Sequence, residues 1–420
     1  MANVDRHFHS LEAAAIQPPT LMWQGPRTVC MVLAIMGLLG AVIGWSINPG
    51  QFYHSWLSSW SFCWTAMMGV LFFVMLHHLV DAGWSTVVRR PAEQLLAAMP
   101  VILLAGIPIV IGMYSGKLHS WMYADLHADE LLAKKTWYLN HTFLAVRLGI
   151  YAITWAYLAH RFRRNSLEQD ADGAGRWTIS SRRWSAGGMV LYALTVSFCA
   201  FDLLMGLDPH WFSTVFGVYV WAGGVVAGLC VITLISLALR NGPLKGYIGS
   251  HQVHSLGQLN FAFCVFWGYI AFSQFFLIWY ANIPEETIFY LKRWTGAADQ
   301  GTSWWIISMI MPVGRFLLPF LVLMSAHTKR SARVVIPMCV ALLFFHWLDQ
   351  YWMVMPEKSP NYPPLQYVWM DLSVIALIGG ACGVVFISAL RKSALLPAKD
   401  PRLAEALAAE HVEEEYADAN

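Results

Sequence analysis

The chain has 420 residues, 57% of them hydrophobic and only 12% charged, about half the charged share of a soluble domain. That deficit excludes an ordinary water-soluble domain and points to an integral membrane protein. A formal net charge of +2 says nothing about nucleic acid, no basic patch interleaved with aromatics appears, and no nucleic-acid partner is expected.

A helix needs about 20 apolar residues to cross a bilayer. Ten stretches qualify in chain order: 28–47, 56–80, 95–114, 140–160, 184–207, 211–239, 254–283, 304–326, 333–355 and 368–390. The runs are too long for barrel strands and do not alternate. The expectation is an all-α polytopic membrane protein with a polar N-terminal tail (1–27), one membrane domain (28–390) and an acidic C-terminal tail (391–420). The first 27 residues lack the charged start and small-residue cleavage site of a signal peptide. All seven cysteines fall inside apolar stretches, none in a CxxC spacing, and read as small buried hydrophobes. "AEALAAEHVEEEYADAN" (404–420) reads as a solvated tail or a short surface helix.

Basic residues set the orientation. Of 27 Lys and Arg, 19 lie in connections on the side of the amino terminus and 6 on the other, with "RFRRN" (161–165) and "SRRW" (181–184) dominating. Both termini are therefore expected in the cytoplasm. The remaining two, Arg147 and Arg315, sit inside spans.

An ionisable group in hydrocarbon costs several kcal/mol and should face the bundle interior beside a partner. Counted along the helix, His141, Asp202, Asp349, Arg147, His346 and Arg315 lie at depths of roughly 2, 8, 9, 10, 13 and 16 Å from the non-cytoplasmic boundary. Asp371 lies near the start of span ten. Within "FFHWLDQYWMVMP" (344–356), His346, Asp349 and Gln350 are spaced i, i+3 and i+4 and project from one helix face. Arg315, on the preceding span, is the natural counter-ion for Asp349, and Arg147 for Asp202. A guanidinium fork suits a buried carboxylate. A second group, His77, His78 and Asp81 with His251 and His254, marks the cytoplasmic ends of spans two and seven. Histidine titrates near neutral pH, so these could begin a proton path. The competing reading makes the charge pairs structural locks and the histidines interfacial.

Three stretches, "FDLLMGLDPHWFSTVFGVYVWAGG" (201–224), "LGQLNFAFCVFWGYIAFSQFFLIWYANIPEET" (256–287) and "MLHHLVDAGWSTVVRRPAE" (75–93), resemble the NrfD/PsrC-like membrane subunits of alternative complex III. That bacterial complex is a quinol:electron-acceptor oxidoreductase, and the likeness is greatest to the smaller of its two such subunits. The resemblance implies two four-helix bundles, spans two to five and six to nine, flanked by spans one and ten, in the bacterial inner membrane. It implies partners: a larger NrfD-like paralogue, a pentahaem cytochrome c, an iron–sulfur subunit, a monohaem cytochrome c and a terminal oxidase, with lipid around them. Haem c and iron–sulfur clusters would then belong to the partners and menaquinol or ubiquinol would be the substrate, with no cofactor on this chain and no catalysis by it alone.

On that reading His141, Arg147 and Asp202 line a quinol pocket in the first bundle, and Trp137, Tyr138 and Trp211 stack on the headgroup. His346, Asp349, Gln350 and Arg315 handle protons in the second bundle, and the cytoplasmic histidines with Asp81 form the opposite half of the path. Two other function classes fit the same residues: a secondary transporter, suggested by the breakers in "AGIPIVIG" (105–112) and "MPVGRFLLP" (311–319), and a purely architectural anchor.

Overall fold

In hydrocarbon every backbone N–H and C=O must bond within the chain, which leaves these apolar runs no alternative to helix. The computed structural model describes residues 20–296 and 301–407. Among the described residues, ten helices are long and apolar enough to span a membrane: α1 (Gln24–Ile47), α2 (Pro49–Leu79), α3 (Gly83–Tyr114), α4 (His141–Asp172), α5 (Arg176–Leu207), α6 (Phe216–Arg240), α7 (Ser250–Ala281), α8 (Trp304–Leu323), α9 (Ala332–Lys358) and α10 (Leu365–Leu390). The described residues contain no strand. The protein is thus an all-α polytopic membrane protein, and each predicted span has its helix.

The ends depart from the hydropathy reading where polar residues find partners. α1 and α2 are joined through Asn48 alone, whose side chain accepts from Gln51 N at 3.1 Å, so α2 begins at Pro49 rather than 56. α4 and α5 run well past their apolar stretches. Their polar extensions pair across the hairpin, with Asn165 donating to Ser181 at 3.1 Å and Gln169 to Thr178 at 2.7 Å. Gly173, at φ +70°, then ends α4 in the left-handed conformation that costs glycine nothing.

α2 and α6 cross at the centre of the molecule, α2 packing with α3 and α5, and α6 with α7 and α9. Helices α2–α5 and α6–α9 so form two four-helix bundles, while α1 and α10 pack along each other outside them. With ten spans, the start of α1 and the end of α10 lie on one face, the terminal face; the other is the opposite face.

On the opposite face, the Lys292 ammonium of the short helix Pro284–Trp294 bridges Asp208 at 2.6 Å and Glu357 at 2.8 Å. Burial pushes the Asp208 carboxyl up, but the hydrogen bond and charge of Lys292 outweigh burial and hold it below the ordinary carboxylate range. A depressed carboxyl contributes stability above its unfolded value of about 4, and that stability is lost as pH falls through the folded value. Asp208→Asn is expected to lower the melting temperature at neutral pH and to converge with the wild type at more acid pH. Melting curves of both proteins across that range check it.

The predicted C-terminal tail (391–420) begins packed against the rest of the chain. Residues 391–407 return to the terminal face with Leu395, Leu396 and Ala406 buried. Asp400 there accepts from Arg89 at 2.5 Å. Residues 408–420 of that tail and 1–19 of the N-terminal tail lie outside the described residues.

Candidate functional site

Pro312 and Pro319 each withdraw an amide hydrogen from α8. Between them Val313–Leu317 winds as a π turn, an irregularity frequent at functional sites. It carries Arg315 into the core of the second bundle, where room exists because residue 223 is glycine: a Cβ there would lie 2.3 Å from Arg315 Nη2. Arg315 Nη1 donates to Asp349 Oδ2, and the Tyr219 hydroxyl donates to Oδ1 of the same carboxylate. Arg315 Nη2 lies 2.7 Å from His346 Nδ1.

A guanidinium only donates, so Nδ1 accepts and the ring hydrogen sits on Nε2. That hydrogen is directed at Thr65 Oγ1, 2.8 Å away on α2. Thr65 in turn donates to Ser61 O at 2.6 Å. The indole of Trp267 covers the guanidinium at 4.2 Å, within cation–π range. Arg315, His346 and Asp349 are all 1% exposed or less.

The structure thus brings together three of the four residues expected in the second bundle. Gln350 is fully buried on the same helix, yet neither amide atom bonds to a protein group. Thr65, Tyr219 and Trp267 complete the group and were not foreseen. They are uncharged and come from helices distant in sequence.

Beside this group, between α7, α8 and the short helix Pro284–Trp294, lies a cavity of about 600 Å³. Its inner wall includes Tyr219 and Trp267, the residues that touch Asp349 and Arg315, and its outer rim includes the exposed side chains of Tyr269, Phe272 and Met309. It is therefore an apolar cleft open to the lipid side, with Tyr219 and Trp267 at its inner end. Gln274 lines it, buried, with Oε1 lacking a partner. Arg293 also lines it, but its N–H groups are taken by the carbonyls of Phe289, Met353 and Trp352 at 2.8, 2.9 and 3.1 Å.

The first bundle departs from expectation. Arg147 and Asp202 do pair, bidentately, through Nε–Oδ2 at 2.9 Å and Nη2–Oδ1 at 2.8 Å. Tyr151 adds a third bond to the carboxylate at 2.8 Å, and the Tyr138 ring lies 3.9 Å over the guanidinium. That arrangement is a saturated lock.

The other pocket candidates are not gathered around it. His141 Nε2 bonds to Met122 O at 2.7 Å, and Trp137 is 73% exposed. Trp211 belongs to the second bundle's opposite end, where its ring stacks on Phe289 at 4.2 Å and its Nε1–H donates to Glu286 O. Depth was readable from hydropathy; the direction each side chain takes around its helix was not. A cleft in this bundle, about 150 Å³ beside Tyr151 and Trp155, is a quarter the size.

On the terminal face, His77 Nδ1 lies 2.8 Å from Phe73 O, and His78 Nε2 lies 3.0 Å from Glu93 Oε1. Glu93 also accepts from Arg89 at 3.2 Å and from Ser166, while Arg90 donates to Ser166 at 2.5 Å and to Asp170. Sequence reading placed Arg89 and Arg90 in a cytoplasmic connection and passed over Glu93. All three are buried in the first turns of α3. Asp81 is exposed and paired with Arg182 at 2.8 Å and Arg402 at 2.7 Å.

His251 and His254 are half-buried at the start of α7, in the other bundle. Residues 400–407 bridge the two groups: Arg402 holds Asp81, and Gln252 Nε2 donates to Ala406 O at 3.3 Å. No family model and no curated protein matches the chain.

Proposed function

We propose that the chain is a membrane subunit of a respiratory quinol:cytochrome c, or oxidase-linked, oxidoreductase, of the NrfD/PsrC-like type and akin to the smaller such subunit of alternative complex III. The observation that carries the reading is the Tyr219 hydroxyl. Tyr219 lines a lipid-facing cavity while its hydroxyl is bonded to Asp349, which Arg315 joins to His346. On this proposal the quinol headgroup enters the second bundle, not the first.

Oxidation of a quinol releases two electrons and two protons. The electrons leave to haem or iron–sulfur groups of partner subunits. A quinol hydroxyl hydrogen-bonded to Tyr219 Oη gives up its proton as Tyr219 passes its own to Asp349, so the tyrosine ends neutral. Gln274 Oε1 orients the second hydroxyl by accepting its hydrogen bond; an amide oxygen does not take up a proton, so the second proton passes to bulk water. The cleft's indole and phenyl walls hold the ring and the first isoprene units, as in other apolar pockets with few polar groups. The partners are those the resemblance implies, in a bacterial inner membrane with both termini cytoplasmic.

A photoreactive quinone, applied to the intact complex, is expected to label α7 and α8 near Trp267, Gln274 and Met309. Tyr219→Phe is expected to lower quinol oxidation about 100-fold, the scale of a lost positioned proton acceptor, with the complex still assembled. Labelling confined to other subunits, together with undiminished turnover in Tyr219→Phe, would overturn the proposal.

A secondary transporter is the second reading, favoured by the breaks in α3 at Ala105–Gly106 and in α8 at the π turn. Co-purification with multihaem and iron–sulfur subunits supports the first reading, and solute uptake by the lone protein the second.

A further inference from the structure

α2 begins with a run of polar side chains, Gln51, Ser55, Ser58 and Ser59, all buried at 3% exposure or less. They face α10 and α9. Ser55 Oγ donates to Asp371 Oδ2 at 3.0 Å and Ser59 Oγ to Asp371 O at 3.0 Å. Gln51 Nε2 reaches Ser55 Oγ at 3.2 Å and Met355 Sδ at 3.4 Å. Asp371 is fully buried, and among the described residues no Lys, Arg or His pairs with it.

The elements around it offer no hidden cation. α1 contributes the small residues Gly37, Ala41 and Gly44 to its buried face. From α9 the titratable neighbour is Tyr351, whose hydroxyl bonds to no protein group. On α2, His54 turns its Nδ1 to Gly50 O at 2.8 Å. Lys358 lies at Gly50 as well, toward the opposite face.

Asp371 differs from Asp202 and Asp349 in this. Each of those carboxylates has an arginine; Asp371 has one hydroxyl on Oδ2 and nothing on Oδ1. An ionised carboxylate left alone in hydrocarbon costs several kcal/mol, whereas a carboxylic acid needs only an acceptor for its hydrogen. The polar atoms left open nearby supply acceptors and donors together: Asp371 Oδ1, Ser58 Oγ, the Tyr351 hydroxyl and both amide atoms of Gln350. A metal cation would call for oxygen acceptors alone, since an amide N–H cannot ligate it. The mixed set is that of a hydrated proton site.

The helix register places this set in line with the second-bundle group. α2 and α9 run antiparallel, with Thr65 against His346 and Gln51 against Met355. Gln350, one turn beyond His346, therefore falls level with Ser58, between His346 and Asp371.

We infer that Asp371 is a proton-binding carboxyl in a water-holding pocket between α2, α9 and α10, and that Gln350, Ser58 and Thr65 line the way from it to His346. The proton arrives from the His346 side, rests on the Asp371 carboxyl and leaves toward the opposite face past Gln51. No bond other than O–H and N–H bonds forms or breaks. The inference stands whether or not quinol occupies the cavity.

Infrared difference spectra of the purified complex, recorded in H₂O and D₂O with isotope-labelled aspartate, test it. The expected result is one protonated-carboxyl C=O band that shifts on deuteration and is lost in Asp371→Asn. If that variant fails to assemble, Ser55→Ala keeps the carboxyl and is expected to move the band, because Oδ2 loses its donor. Three results would overturn the inference: no band assignable to Asp371, a band that never exchanges with D₂O, or a band that emerges only when sodium is replaced by choline, which marks a cation site. Loss of quinol labelling with the band intact would remove the cavity proposal and leave this one standing.

Discussion

Arg315→Met is expected to destabilise the protein by about 3–5 kcal/mol, the cost of stripping one partner from a buried ion pair. The guanidinium serves Asp349 and His346 simultaneously and sits under the Trp267 ring. Without it Asp349 keeps only the Tyr219 hydroxyl, and a carboxylate remains uncompensated in a region 1% exposed. Lysine is a poor replacement, because one ammonium cannot reproduce two divergent N–H bonds in fixed geometry. The double variant Arg315→Met/Asp349→Leu removes both charges, so most of the stability is expected to return. Its quinol oxidation is not. That separation matters: a pair kept only as a lock would give a double variant both stable and active. Unfolding temperatures of the assembled complex, set beside turnover, decide between the two, and a single variant as stable as wild type contradicts the argument outright.

The fold was legible because membrane spans are written in composition: length and apolarity suffice, and polar segments such as 161–172 were misjudged only in where the helix ends. The two arginine–aspartate pairs were legible for a related reason. Each joins consecutive antiparallel helices, α4 with α5 and α8 with α9, so depth along one hairpin matches the partners. Asp371 lacks such a mate, and its serines lie on a helix over 300 residues away in the chain. Thr65 and Tyr219 were invisible for the same reason, with no charge to flag them. Glu93 was hidden differently: "STVVRRPAE" is as polar as a surface turn, and its partners His78 and Ser166 come from α2 and α4. The cavity depends on shape, set by how α7, α8 and the short helix Pro284–Trp294 pack around it.

Gly228→Val is expected to be the most damaging change remote from any charge. α2 and α6 approach closely enough that a Cβ at Gly228 would lie 2.5 Å from Gly69 C and 2.6 Å from Val70 N, and one at Gly224 would lie 2.6 Å from Thr65 O. The Gly224–Gly228 spacing is the small-xxx-small pattern that lets membrane helices touch backbone to backbone. Overpacking a core ordinarily costs ~1–3 kcal/mol because side chains yield. Here the obstruction is main chain, so the two bundles must move apart, and a loss at or beyond the top of that range is expected. The chemistry goes with the fold. Thr65 is at once the residue against Gly224 and the acceptor of His346, so separating α2 from α6 withdraws it from the histidine. Gly224→Ala, the milder insertion, is expected to assemble in part with turnover reduced, while Gly379→Ala, where an added methyl meets nothing within 4 Å, should match the wild type. Folded yield and unfolding temperature rank the three variants. A Gly228→Val protein as stable as Gly379→Ala would mean that the two bundles are not held by this crossing.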